Sequence, residues 1–89
     1  MNITSNLIKD NIFITWTAVA YQHFAEYDRL KSDNDKASFV YSTCMREMTE
    51  IELVSKSELA EIKEFISANE SVETEVKQYC KSLCVLENA

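Results

Sequence analysis

The chain has neither glycine nor proline in 89 residues. Hairpins and tight turns draw on glycine for positive φ and on proline for a preset φ, so a chain with neither is best built from helices joined by short polar turns. Asn, Asp and Ser must then supply the caps and left-handed positions, and they cluster at Ser32–Asp35, Ser55–Ser57 and Asn69–Ser71. The expected fold is all-α, a single domain over residues 1–89. Its helices are expected at about 5–30, 36–54, 58–68 and 71–87, or as three if the middle two are continuous. A hydrophobic content of 46% beside 27% charged residues is that of a globular chain rather than a disordered one.

The first helix, capped by Thr4 or Ser5, organises the rest. It holds Phe13, Trp16, Tyr21, Phe24 and Tyr27, with the only Trp and the only His of the chain. At 100° per residue a broad apolar face collects Ile8, Ile12, Phe13, Trp16, Val19, Ala20, Phe24, Tyr27 and Leu30, with His23 in its middle. A narrower seam of Leu7, Ile14, Ala18, Tyr21 and Ala25 runs along another side. A helix with two apolar faces must bury both, within its own bundle or against another chain. The run Ile12–Thr17 is β-branched and aromatic enough for a strand, but no second such run exists to pair with it, so helix is the expectation.

The second helix carries Ala37, Val40, Tyr41, Cys44, Met48 and Ile51 on one face, with Phe39 and Leu53 outside it. Ser55 and Glu58 have capping-box spacing, and Ser57 is an equally good cap for a third helix with Leu59, Ile62, Phe65 and Ile66 inward. Ser71 is expected to cap the last helix, whose stripe is Val72, Val76, Tyr79, Leu83 and Leu86 with Cys80 and Cys84 at its edge.

A net charge of −6 argues against general affinity for nucleic acid or anionic membranes, which rests on Lys and Arg clusters. The natural complement is a basic partner protein. Glu58, Glu61 and Glu64 recur at threes on the third helix and form the candidate acidic docking face, set against the plainer reading of a solvated face. Immunity proteins that neutralise basic nucleases and small phage-encoded inhibitors that occupy nucleic-acid sites share such a charge balance, a likeness of charge alone. The seam of Leu7, Ile14, Ala18, Tyr21 and Ala25 is the candidate homodimer surface, extended by Phe39 and Leu53, set against burial by the chain's own helices.

No nucleotide loop, nucleophile elbow or HExxH occurs, so no catalytic residue and no cofactor is assigned. One His and three Cys have the stoichiometry of a zinc site, yet only Cys80 and Cys84 are close in sequence while His23 and Cys44 fall on separate helices. The alternative function, a metal- or thiol-dependent protein using His23 with Cys44, Cys80 and Cys84, rests on that stoichiometry. Three cysteines without a signal-peptide pattern or an apolar spanning run point to reduced thiols and a cytoplasmic setting. The preferred expectation is a small acidic protein-binding module, a stoichiometric regulator or inhibitor of a partner protein, basic nucleic-acid-handling proteins being one candidate class, and a homodimer.

Overall fold

The computed structural model describes residues 2–87, with side chains from 2 to 84. They form an all-α bundle of four separate helices: α1 (Ser5–Arg29), α2 (Asp33–Glu50), α3 (Lys56–Ala68) and α4 (Glu70–Glu87). The Leu86 side chain of the expected α4 stripe lies outside the described residues.

Polar side chains set each joint. Thr4 caps α1, its Oγ1 accepting from the Leu7 N–H at 3.1 Å, and Ser32 caps α2 through the Asp35 N–H at 3.0 Å. With Ser32 as the cap, α2 starts at Asp33 rather than near 36. It also stops at Glu50 instead of reaching 54, which settles the fold as four helices. Glu52 takes φ 58°, and its N–H reaches Thr49 O while the Leu53 N–H reaches Met48 O. This is the Schellman pattern that closes a helix end, formed with a glutamate where glycine is usual.

α3 begins at Lys56, two residues earlier than expected, because Ser55 forms the complete capping box. Glu58 N–H donates to Ser55 Oγ at 3.1 Å, and Ser55 N–H donates to Glu58 Oε1 at 2.8 Å. Asn69, rather than Ser71, starts α4. Its N–H and side-chain amide close α3 on Ile66 O and Phe65 O, while its carbonyl accepts from Glu73.

α2 packs against both α1 and α4, α1 also touches α4, and α3 lies on α2 and α4. The Cα envelope is 34 × 27 × 17 Å. A depth of 17 Å is two helix layers at interaxial distances of about 8–10 Å, so an outer helix is covered on one side only. From α1 that side supplies Ile8, Ile12, Trp16, Val19 and Tyr27, which meet Val40, Cys44 and Met48 of α2, Ile62 and Ile66 of α3, and Val76, Cys80, Leu83 and Cys84 of α4. Thr15, buried within α1, satisfies its hydroxyl by donating to Asn11 O at 2.7 Å.

The buried arc of α1 is narrower than its sequence suggests. Phe13 and Phe24, assigned to the core face, are exposed at 49% and 46%, and Ala20 and Leu30 are half-buried. The arc that is buried runs round the helix from Asn11 and Thr15 through Ile8, Val19, Ile12 and Trp16 to Tyr27. Phe39 and Leu53 are not free to extend the seam, because both pack against the core, Phe39 edge-on to Trp16 at 6.4 Å.

Two substitutions test the joints. Glu52→Gly should raise stability by roughly 0.5–1 kcal/mol, the relief of a left-handed non-glycine residue less the entropy glycine adds to the unfolded chain. Ser55→Ala should lower it by about 1 kcal/mol. Urea midpoints at unchanged slope read both, and a destabilised Glu52→Gly would contradict the strain assigned to that turn.

Candidate functional site

The two-layer packing leaves one long face of α1 without intramolecular cover. Ile14 is 47% and Tyr21 77% exposed, Ala18 and Ala25 are exposed, and Phe13 and Phe24 continue the surface on one side. Of the expected seam only Leu7 is half-buried. The four large side chains alone present about 400 Å² of apolar surface, within the range where the largest patch of a monomer is often functional. They stand on a helix fixed by its opposite face, so the patch is presented rigidly. Tyr21 lies half a turn from the core stripe. Its hydroxyl accepts from Gln22 Nε2 at 3.0 Å, the side chain otherwise standing in solvent.

The acidic face of α3 is divided. Glu58 is committed to the capping box, and its hydrogen bonds with Ser55 hold its carboxyl below the ordinary carboxylate value. Glu61 and Glu64 remain exposed and border an open groove of about 410 Å³ with Ile3, Phe65 and Ala68. A reversal of all three glutamates therefore confounds recognition with capping.

His23 and the cysteines do not assemble into a ligand set. His23 is half-buried, its ring edge-on to Phe39 at 6.3 Å and its Nε2 3.7 Å from Glu47 Oε1, an oxygen that Arg46 Nε also approaches at 3.7 Å. Among the described residues no group of three or more His, Cys, Asp and Glu side chains is placed to hold a metal ion. All three cysteines are buried thiols in no disulfide. Cys44 Sγ lies 3.5 Å from Ile12 O, and Cys84 Sγ lies 3.3 Å from Cys80 O. Burial pushes the Cys44 thiol from its ordinary value near 9 up to about 12, with Cys80 and Glu47 adding to the effect. Burial, then Cys84, does the same for Cys80. Since the thiolate is the nucleophile, both are inert at neutral pH. A cleft of about 510 Å³ between α2 and α4 carries Lys77 and Lys81, but Lys77 is held by Glu73 at 2.8 Å.

Residue type and spacing set Leu7, Ile14, Ala18, Tyr21 and Ala25 on one line, of which all but Leu7 are exposed, and set Phe13 and Phe24 on the core face, because a wheel assigns both to the edge of the core arc. No family model, curated protein or solved structure matches the chain. No described helix is long and apolar enough to cross a membrane.

Two outcomes follow for these groups. Native protein at pH 8 should leave its thiols unmodified by an aromatic disulfide reagent, with all three reacting after unfolding. Unfolded thiols ionise near pH 9 and the folded Cys44 and Cys80 near 12, so the folded state holds more protons in that window; stability present below pH 9 should fall as pH rises toward 12. Glu58→Lys should lower the urea midpoint while Glu61→Lys and Glu64→Lys leave it unchanged; equal loss from all three would contradict the assignment of Glu58 to the cap.

Proposed function

We propose that this chain acts by stoichiometric binding of another protein, as a regulator or inhibitor, through the uncovered face of α1. One observation carries the reading: Phe13, Ile14, Tyr21 and Phe24 stand exposed together on a rigid helix whose far side is fixed in the core. Burying a Tyr and two Phe in a partner is the usual source of binding energy in a small interface. The buried, proton-retaining thiols of Cys44 and Cys80 fit a packing role in such a binding module. A cytoplasmic setting belongs to the same reading, supported by three cysteines in no disulfide.

The net charge of −6 favours a basic partner, nucleic-acid-handling proteins being one such class, and Glu61 and Glu64 add to the field that steers it. A symmetric homodimer through Leu7, Ile14, Ala18, Tyr21 and Ala25 is the second reading, favoured by Ala18 and Ala25, whose small side chains let two helices approach closely.

Ile14→Glu and Tyr21→Glu are surface changes and should alter stability by no more than about 0.5 kcal/mol. Each should abolish retention of whatever the wild-type chain captures from its host lysate, and Tyr21→Ala should weaken it roughly 10-fold or more. Light scattering separates the readings. A single-chain mass with capture lost in the variants supports the heterotypic partner, and a two-chain mass lost in the variants supports the homodimer. A single-chain mass with capture unaffected overturns the proposal.

A further inference from the structure

The charges at the two ends of the α1 face choose between its occupants. Along its centre line the exposed side chains are Asp10, Ile14, Thr17, Tyr21, Phe24 and Asp28, alternating by four and three residues as in the seam of a helix pair. Asp10 and Asp28 are separated by five helical turns, about 27 Å, so they stand on the same line and close the apolar stretch at both ends. Among the described residues neither forms an ion pair, although Lys31 follows Asp28 by three positions. Lys9 is drawn away to Glu75 on α4, at 3.0 Å, and Arg29 points about 100° round the helix from Asp28, at the rim beyond Ala18.

A second copy of this chain meets that pattern badly. A parallel two-fold pairing sets Asp10 against Asp10 and Asp28 against Asp28. An antiparallel pairing centred on the apolar stretch, between Ile14 and Phe24, sets Asp10 against Asp28 at each end. Both symmetric arrangements therefore oppose carboxylates twice, and sliding the copies apart to relieve this removes apolar overlap. Like charges at an interface suppress the wrong partner, as complementary ones select the right one.

We infer that the face of α1 takes an amphipathic helix from a different, basic protein. That helix carries an apolar seam at threes and fours, and a Lys or Arg at each end of it, the two bases about five turns apart to meet Asp10 and Asp28. Ala18 and Ala25 set the depth of approach along one edge, and Phe13 and Phe24 wall the other. The inference rests on the reading of this face as a binding surface and names its partner's chemistry.

The test is a displayed library of amphipathic helices with a fixed apolar seam and randomised residues at its two ends, selected on the intact chain. Binders blocked by Tyr21→Glu should carry Lys or Arg at both end positions. Against Asp10→Lys/Asp28→Lys the preference should reverse to Asp or Glu, and a wild-type-selected helix should bind on the order of tenfold more weakly. Selection without charge preference, or without reversal, overturns the inference and leaves the binding face standing. A two-chain mass for the protein alone, reduced to one chain by Tyr21→Glu, also overturns it, by showing a second copy in place. If no binder sensitive to Tyr21→Glu emerges and the mass is that of one chain, both the inference and the reading beneath it fail.

Discussion

The packing of α2 between α1 and α4 is the contact on which the rest of the molecule depends. Val40, Cys44 and Met48 form a fully buried ridge, each at 0% exposure, that must be enclosed from both sides. Cys44 marks how close the approach is: its thiol lies within reach of the Ile12 carbonyl of α1, and its ionisation is opposed by Cys80 of α4. A small side chain there lets three helices converge. The same desolvation that makes the cysteines good packing residues makes them poor nucleophiles.

With α1 and α4 flanking α2 and the shorter α3 lying on α2 and α4, no helix among the described residues covers the outer side of α1. The aromatic content of α1 then divides by geometry. Trp16 and Tyr27 pack together at 5.5 Å inside, with Lys36 placed 5.1 Å over the Tyr27 ring, while Tyr21 and Phe13 face out. Lys9 and Glu75 clip α1 to α4 at the edge of the core. The exposed face is thus the far side of the arc that α1 commits to the core, and that buried arc holds it in place.

The joints show how a chain without glycine or proline changes direction. Ser32, Ser55 and Asn69 each offer a short polar side chain to backbone groups that a helix end leaves unpaired. The exception is the end of α2, where Glu52 adopts a left-handed conformation. This bend turns the chain so that Val54 enters the core and α3 returns across α2 and α4. Glu58, part of an acidic row in the sequence, is occupied at the start of α3, so local capping has first claim on a residue whose charge alone marks it for recognition.

The all-α class, the four-helix count preferred over three, the capping box at Ser55 and most of the inward stripes followed from the sequence alone, because helix periodicity and cap chemistry are local. The two faces of α1 were legible for the same reason: apolar residues recurring at threes and fours lie on a surface whatever covers it. The choice of Ser32 and Ser55 among neighbouring polar residues is equally local, each cap closing on a residue three positions on. Two features were decided only by the tertiary structure. Phe13 and Phe24 fell outside the core because the arc that α2 and α4 cover is set by helix crossing, which no wheel encodes. Ile14, Ala18, Tyr21 and Ala25 stayed uncovered because burial is a property of neighbours, and neighbours are fixed only when the whole chain has packed.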